Sequence, residues 1–433
     1  MRIVIQGGRV IDPTHRTDRV ADLFIADDKI AGLGQAPAGF IPEQVIDARR
    51  QVVCPGLIDL CARLREPGQE YKATIASETA AAAGGGITTL VCPPDTDPPI
   101  DEPAVIEWIR RRAKAAGQAR VLALGALTHR LRGERLAEMA ALKESGCVGV
   151  SDGGRPIVNT RVLRRALEYA ATFNLTVFLT PVDPELGHGL AHEGQVATRM
   201  GLPGVPAAAE TGMIARDLEL VRDLGVRVHF GRLSSARSVE LIARARAEGL
   251  PVSADVAVHS LHLTDMDLVG FDSRCHVRPP LRGLRDKDAL RAGLASGALS
   301  AICSDHQPHE PDAKQAPFGD TEPGISGLDT LLSLSLHLAQ AGVLPLMTVI
   351  ERLTCGPAQI LGLDRGHLGV GATADVCIFD AEMEGLLESA YLRSRGQNSP
   401  FIGWVLPGQV THTLLEGRVV YQRTRPGKVS LAL

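Results

Sequence analysis

No block of like charge stands out in this sequence of 433 residues, whose formal net charge is −4. That balance argues against nucleic acid or an anionic membrane as the main partner. The N-terminus lacks the long apolar run of a signal peptide. The most apolar later segment, Leu331–Leu346, is interrupted by polar residues and a proline, so we predict no membrane-spanning helix. We therefore expect a cytoplasmic protein with neither a nucleic-acid nor a membrane partner.

The eight cysteines are scattered, and no Cys-x-x-Cys pair occurs among them. This pattern favours reduced, buried thiols in a cytoplasmic protein. The glycine-rich stretches Gly84–Gly86 and Gly201–Gly204 lack the Walker or Rossmann pattern, so we interpret them as turns rather than phosphate-binding loops. No Ser/His/Asp or Cys/His arrangement lies in a nucleophile-elbow context.

Hydrophobic residues make up 45% of the chain, which is long enough for a large core and more than one domain. Residues 54–364 alternate strand-like and helix-like segments eight times. The predicted strands are Gly56–Leu60, Ile87–Val91, Val121–Leu127, Val148–Val150, Thr176–Leu179, Val226–Phe230, Val252–Val256 and Ala301–Cys303. The predicted helices are Thr74–Ala83, Glu102–Ala115, Glu134–Lys143, Thr160–Ala171, Ala207–Leu224, Ser235–Glu248, Asp286–Leu294 and Gly327–Ala341. Eight such units predict an α/β protein whose main domain is a (β/α)8 TIM barrel.

The two ends of the chain, residues 1–53 and 365–433, are rich in short β segments. Gly7-Gly8 is predicted to be a turn between two of them. Thr411–Leu415 and Arg418–Tyr421 flank a Glu-Gly pair in the manner of a hairpin. We predict that both ends form one small β-sandwich domain, into which the barrel is inserted.

The stretch of residues 55–68 reads Pro-Gly-Leu-Ile-Asp-Leu-Cys-Ala-Arg-Leu-Arg-Glu-Pro-Gly, a short buried strand followed by a loop. It resembles the signature of the dihydroorotases of the cyclic amidohydrolase superfamily, Pro-Gly-x-Ile-Asp-x-His-x-His-x-Arg-Glu-Pro-Gly. Cys61 and Arg63 stand where that family has two metal-binding histidines. The resemblance extends from Ile11–Pro13 to Gly417–Tyr421 and so covers nearly the whole chain.

The resemblance implies further zinc ligands at the ends of four other barrel strands, and only one of them is kept. Gly153 stands at the position of an aspartate, and Thr180 and Arg232 stand at the positions of histidines. Asp305, the family's metal ligand and proton carrier, is retained within Cys303–His309. A guanidinium has no lone pair for a metal, and one carboxylate does not hold zinc. We therefore expect no metal and no other cofactor.

A rival metal site is conceivable from the sequence. It would combine Cys61, Asp152 and Asp305, with His229 or His306 nearby. These side chains carry the thiolate, carboxylate and imidazole donors that zinc accepts.

Two arginines oppose that rival site. Arg63 and Arg232 would point into the same cavity, and fixed positive charges repel a dication. We favour the hypothesis that the two arginines replace the metal and neutralise Asp305 and Asp152 through charge-assisted hydrogen bonds.

Four residues correspond to the substrate side of the family's pocket. Arg65 and His309 match the family pattern, in which the arginine grips the substrate carboxylate, although a structural salt bridge of Arg65 is equally compatible with the sequence. Asp95 and Arg278 each replace an asparagine. A carboxylate at position 95 would repel an anionic dihydroorotate, so we interpret these residues as a relic pocket.

This pattern resembles a non-catalytic branch of the family, the dihydroorotase-like subunits of bacterial aspartate carbamoyltransferase. The resemblance implies an inactive homodimer, with Asp305 as a relic base, that binds the aspartate carbamoyltransferase catalytic chain in a larger hetero-oligomer of de novo pyrimidine (UMP) biosynthesis. One alternative is an active dihydroorotase or related amidohydrolase that hydrolyses a cyclic amide with an atypical or metal-free site, in which Arg63 or Arg232 polarises the carbonyl and Asp305 is the base. Another is a binding module that senses a pyrimidine intermediate through Arg65 and His309.

Overall fold

The computed structural model describes residues 1–423. Its strands, in chain order, are β1 (Arg2–Asp12), β2 (Thr17–Ala26), β3 (Lys29–Leu33), β4 (Gln44–Asp47), β5 (Val52–Pro55), β6 (Leu57–Asp59), β7 (Ile87–Cys92), β8 (Arg120–Ala126), β9 (Gly149–Ser151), β10 (Val177–Leu179), β11 (Ala191–His192), β12 (Gly204–Val205), β13 (Val228–Phe230), β14 (Val252–Ala257), β15 (Ala301–Cys303), β16 (Val376–Leu386), β17 (Val405–Leu415) and β18 (Arg418–Gln422). Its α-helices are α1 (Ile75–Gly84), α2 (Pro103–Ala116), α3 (Met139–Glu144), α4 (Thr160–Thr172), α5 (Gln195–Met200), α6 (Ala208–Leu224), α7 (Ala236–Ala247), α8 (Leu284–Ser296), α9 (Leu331–Gln340), α10 (Leu346–Leu353) and α11 (Cys355–Leu361).

Eight parallel strands form the predicted barrel, in the order β6, β7, β8, β9, β10, β13, β14 and β15. The first and last strands, β6 and β15, are joined by backbone pairing between the residues that follow each of them. Ala62 forms a parallel bridge with His306, and the backbone N–H of Arg63 donates to the carbonyl of His306 over 2.9 Å. The predicted (β/α)8 fold with a β domain is confirmed, and the loops after β6 and β15 complete the closure.

The second large sheet combines strands from both ends of the chain, in the order β18, β17, β16, β5, β1, β2 and β3, with β4 paired to β1. Its own core includes Ile3, Ile25, Val53 and Leu414. The last part of the predicted β domain, residues 424–433, lies outside the described residues.

The predicted turn at Gly7-Gly8 is wrong, because β1 runs through it as one strand. The pairing of β1 with β2 shifts register between Ile5 and Gly8, which marks a β-bulge. Gly7 has φ +68° and its N–H donates to Asp22 Oδ1 over 2.8 Å. A left-handed glycine therefore bends the strand without ending it.

Helix α1 shows how local sequence positions the first rim loop. The hydroxyl of Thr74 accepts a hydrogen bond from the N–H of Ser77 over 3.1 Å in a capping box, and the helix ends at the glycine run that was predicted to be a turn.

Two predicted helices, α3 and α9, begin later than expected. The start of α3 is delayed because Leu136 pairs with Thr128 in an isolated bridge. The short helices α5, α10 and α11 were not predicted.

Within residues 1–423, every helix is too short or too polar to cross a membrane.

Candidate functional site

The C-terminal ends of the barrel strands bring five of the predicted metal positions together. Cys61 and Arg63 follow β6, Thr180 follows β10, Arg232 follows β13 and Asp305 follows β15. All five are joined by the contacts described below. This group of five side chains is called the mouth cluster.

Asp305 is the centre of the mouth cluster. Its Oδ1 accepts from Arg232 Nη1 over 2.9 Å and lies 3.5 Å from Arg63 Nη1 and 3.6 Å from Cys61 Sγ. Arg232 Nη2 donates to Thr180 Oγ1 over 2.6 Å. Arg232 is 7% exposed and Asp305 is 1% exposed, so these charges are largely removed from water. Such charge-assisted bonds between buried partners fix both side chains in place.

Arg63, the second arginine of the mouth cluster, forms an ion pair with Asp95. Arg63 Nε donates to Asp95 Oδ2 over 2.8 Å, while Nη1 of the same guanidinium faces Asp305. Two guanidinium groups therefore meet two carboxylates, and the four charges balance. The carboxylate at position 95, which we interpreted as unfavourable for an anionic substrate, serves to hold Arg63.

The electrostatics keep all four groups charged. Burial would raise the pKa of Asp305, but the neighbouring Arg232 and Arg63 outweigh it and lower that pKa. Burial also opposes the charge on Asp95, and Arg63 again lowers its pKa overall. The carboxylates in turn raise the pKa of both guanidinium groups against the effect of burial. Burial raises the pKa of the Cys61 thiol, which keeps it protonated.

Several mouth residues have left-handed backbone conformations. The φ angles are +59° at Arg232, +44° at Asp305 and +63° at Arg65, and Gly153 has +62°. Such conformations in non-glycine residues cost about 1–3 kcal/mol each and occur preferentially at functional sites. Strained backbone is therefore concentrated in the loops that carry the mouth cluster.

The space left inside the mouth is small. The hollow that Cys61, Thr180, His229, Arg232 and Asp255 help to line has a volume of about 30 Å³. That is room for about two water molecules. Pockets for small molecules are typically of the order of 300–1,000 Å³, so this hollow is far smaller than a typical substrate site.

The carboxylate of Asp152 takes no part in the mouth cluster, which corrects the expected pairing of Asp152 with an arginine. Its Oδ1 accepts the N–H groups of Leu127 and Thr128 over 3.0 and 2.9 Å, and Oδ2 accepts the Thr128 hydroxyl. Burial raises the pKa of Asp152 to about 6, against these hydrogen bonds. The residue ties β8 to β9 and is not free to ligate a metal.

The two histidines of the rival metal site also have other partners. His229 is hydrogen-bonded to Ser253 Oγ over 2.9 Å and to Asp255 Oδ2 over 3.0 Å. His306 is hydrogen-bonded to Glu78 Oε2 over 2.8 Å and accepts the N–H of Gly327 over 3.1 Å. Both rings are therefore held away from Asp305 by hydrogen bonds at each nitrogen.

The residues at the mouth do not fit a zinc ion. Zinc needs three or four converging donors, and only the Cys61 thiol and the Asp305 carboxylate approach one another there. Across residues 1–423, no group of three or more His, Cys, Asp or Glu side chains is arranged to hold a metal. Gly153 supplies no donor, and a Cβ at that position would come within 3.4 Å of the Asp95 side chain.

The predicted substrate side is brought together only in part. Arg65 Nη2 lies 3.2 Å from His309 Nε2, and Lys72 Nζ lies 3.3 Å from His309 Nδ1. Burial, followed by Arg65 and Lys72, lowers the pKa of His309 to about 2, so this ring is neutral. Arg278 is exposed and lines neither the hollow at the mouth nor the one beside Arg65.

Three residues of this region were not predicted from the sequence. Lys72 carried no motif signal at all. Gln307, whose Nε2 donates to Asp305 Oδ2 over 3.2 Å, lay inside the quoted motif without a role. Asp255 accepts the backbone N–H of Arg232 and holds His229. A carboxylate inside the apolar strand β14 was the one available signal for it, because a buried acid needs hydrogen-bond partners.

Comparison with known proteins assigns the family. The chain is 51% identical to a dihydroorotase-like protein of Pseudomonas aeruginosa over 423 residues, which cover 98% of this chain and 100% of that protein. The chain belongs to the dihydroorotase-like family. The family profile described as dihydro-orotase-like matches residues 50–238. A protein of Geotalea daltonii named dihydroorotase is 43% identical over 424 residues, which cover 98% of this chain and 100% of that protein.

The fold of this dihydroorotase-like chain is shared with solved hydantoinases. The L-hydantoinase (dihydropyrimidinase) from Arthrobacter aurescens superposes with a TM-score of 0.87 at 23% identity, covering 98% of this chain and 96% of that one. A dihydropyrimidinase from Brevibacillus agri superposes with a TM-score of 0.83 at 20% identity, covering 98% of this chain and 95% of that one. At this level of identity the likeness concerns the fold alone.

The ion pairs of the mouth cluster predict a particular pH dependence. Asp95 and Asp305 have lowered pKa values in the folded state, so their contribution to stability is complete above the unfolded value of about 4 and is lost as the pH falls through the folded values. The wild type should therefore lose more free energy of unfolding between about pH 4 and pH 3 than the variant R232M/D305N. Urea unfolding at each pH measures this, and parallel pH profiles would contradict it.

Proposed function

We propose that this dihydroorotase-like chain is catalytically inactive and is a structural and assembly subunit of aspartate carbamoyltransferase in de novo pyrimidine (UMP) biosynthesis. The observation that carries the proposal is the pairing of Arg63 and Arg232 with Asp305 inside the barrel mouth. In place of donors for a metal, the mouth holds two fixed cations.

The lowered pKa of Asp305 and the existing hydrogen bonds of the arginines argue against hydrolysis. A general base works best with a pKa near the operating pH, and the pKa of Asp305 is lowered. The carbonyl would have to be polarised by Arg63 or Arg232. Arg63 already donates to Asp95, and Arg232 already donates to Asp305 and Thr180. A metal-free hydrolase would need both groups unpaired at the moment of reaction, so the geometry opposes the alternative of an active enzyme.

The sensor alternative is opposed by the available volume. The hollow beside Arg65, also lined by Gln69, Asp95 and Thr96, has a volume of about 10 Å³. This is room for about one water molecule and not for a pyrimidine intermediate.

The assembly part of the proposal rests on the resemblance to the non-catalytic branch of the family. The side chains of this barrel occupy its mouth, but its outer surface is still available to bind a partner. We propose a cytoplasmic homodimer that binds the aspartate carbamoyltransferase catalytic chain within a larger hetero-oligomer.

The test is co-expression of this chain with the transcarbamoylase of its own genome, with an affinity tag on this chain alone. We expect the transcarbamoylase to co-purify in a defined stoichiometry. We also expect its activity or its oligomeric mass in solution to fall when this chain is omitted. A transcarbamoylase that neither co-purifies nor changes in mass would refute the assembly role.

Activity is tested separately on the purified chain with dihydroorotate. We expect no hydrolysis above that of the D305N variant, and less than about 0.1 zinc per chain, since zinc sites need three or four donors. Hydrolysis that D305N abolishes would establish the active enzyme instead. Saturable dihydroorotate binding in calorimetry, without turnover, would establish the sensor.

A further inference from the structure

A larger hollow lies at the opposite end of the barrel, beside the N-terminal ends of β10, β13 and β14. Its volume is about 380 Å³, within the range of small-molecule sites and far above that of the mouth. We call it the basal hollow and define it by Arg227, Arg246, Leu250, Ser300 and Ile360, which are among the residues that line it.

Arg246 reaches the basal hollow from α7 with only part of its guanidinium in use. Nη1 donates to the carbonyls of Gly297 and Ala298, the latter over 3.1 Å, and to Ser300 Oγ over 2.8 Å. These bonds hold the end of α8. The one N–H of Nε and the two of Nη2 make no hydrogen bond to any other residue in 1–423, so three donors of the guanidinium remain available.

Arg227 is in a similar position immediately before β13. Its Nη2 donates to the carbonyl of Asn174 over 2.9 Å, and its remaining donors make no bond within the described part of the chain. Within that same part, neither Arg227 nor Arg246 has a carboxylate within ion-pair distance. Two guanidinium groups therefore line one hollow without a counter-charge.

The acids closest in sequence to these arginines have other partners, and Asp223, four residues before Arg227, pairs with Arg164. Glu248 accepts from Arg244 over 2.8 Å and from Arg222 over 2.7 Å. Burial, followed by the charge of Arg352, lowers the pKa of Arg246, which is the direction expected for a cation without an acid beside it. An anion in the basal hollow would relieve this repulsion.

We propose that the basal hollow binds a phosphate-bearing small molecule, with the phosphate on Arg227 and Arg246 and the organic part against Leu250 and Ile360. The planar guanidinium fork matches phosphate oxygens, and Ser300 adds a hydroxyl beside Arg246. The apolar side chains give an organic phosphate more contact than inorganic phosphate would have. The site lies away from the barrel mouth, so it is independent of the proposed loss of catalysis.

Calorimetry on the full-length chain at low ionic strength tests the proposal, with ribose 5-phosphate, inorganic phosphate and succinate as probes. We expect saturable binding of both phosphates, tighter for ribose 5-phosphate, and weaker binding of succinate. The variant R227Q should weaken ribose 5-phosphate binding at least about tenfold, because it removes one charge-assisted contact. Arg227 is exposed, so this variant is expected to fold normally.

Two further variants make the result specific. R246K keeps a cation at the end of α8 but loses the fork, so it should weaken ribose 5-phosphate binding severalfold without loss of folding. R237Q is the matched control, because Arg237 lies on the same helix and its Nη1 pairs with Glu240 over 2.8 Å. It should leave binding within about twofold.

Three results would overturn the proposal. The first is no saturation by either phosphate up to about 10 mM. The second is an equal loss of binding in R227Q and R237Q, which would mean nonspecific charge screening. The third is succinate binding as tight as that of ribose 5-phosphate, which would remove the assignment to phosphate.

Discussion

Replacing Arg232 by methionine is expected to lower the free energy of unfolding by about 3 kcal/mol, because removal of one partner from a buried ion pair leaves the other charge without compensation. Asp305 would keep the longer contacts with Arg63 at 3.5 Å and with Cys61 Sγ at 3.6 Å, together with the bond from Gln307. Methionine is unbranched like arginine and also carries a Cβ, so the left-handed backbone at position 232 is equally strained in both proteins. Urea unfolding followed by circular dichroism measures the change.

The double variant R232M/D305N separates charge from packing. It removes the whole ion pair and leaves the Arg63–Asp95 pair neutral by itself, so it should return to within about 1 kcal/mol of the wild type. R237M is the control at an exposed pair and should change stability by less than about 0.5 kcal/mol. A double variant as unstable as R232M would show that packing, and not charge, explains the loss.

Restoring histidine at positions 61 and 63 is expected not to restore zinc. Arg232 would still occupy Asp305, and a guanidinium about 4 Å from a dication is repelled by about 8 kcal/mol at an effective dielectric constant of about 20. The variant C61H/R63H should therefore contain less than about 0.1 zinc per chain by elemental analysis after incubation with zinc, because the two new histidines would be the only unpaired donors and zinc needs three or four.

A fuller reconstruction should behave differently. The variant with C61H, R63H, G153D, T180H and R232H removes both cations and supplies donors around Asp305. It also needs D95N, because a side chain at position 153 would lie against Asp95. We expect this variant to bind at least one zinc per chain. Stoichiometric zinc in C61H/R63H would show that Arg232 is displaced easily, and it would remove the basis of the proposed inactivity.

The sequence predicted the architecture well because the barrel is built from local signals. Alternation of strand and helix placed eight units, and the order of strands in a (β/α)8 barrel follows the order of the chain. The same rule predicted that Cys61, Thr180, Arg232 and Asp305 would meet at one rim. The bulge at Gly7 was missed because a glycine pair also signals a turn, and only the pairing with β2 distinguishes the two.

It was harder to predict from the sequence which charged side chains pair with one another. Arg63 and Asp95 both appeared as departures from the family pattern, and their mutual bond depends on the reach of a long side chain across two rim loops. Asp152 was expected to meet an arginine but is held by the backbone of Leu127 and Thr128. Every residue except proline has a backbone N–H donor, so the sequence does not indicate which of these donors will bind a carboxylate.

The contact that closes the barrel between β6 and β15 shows which parts of the mouth the fold depends on. The bridge between Ala62 and His306, with the bond from Arg63 N–H to the His306 carbonyl, lies in the same loops that carry Cys61 and Asp305. Deleting or remodelling either loop would break the contact that joins the first and last strands of the barrel, β6 and β15. Exchanges of side chains that keep this backbone contact can therefore change the chemistry of the mouth without opening the barrel.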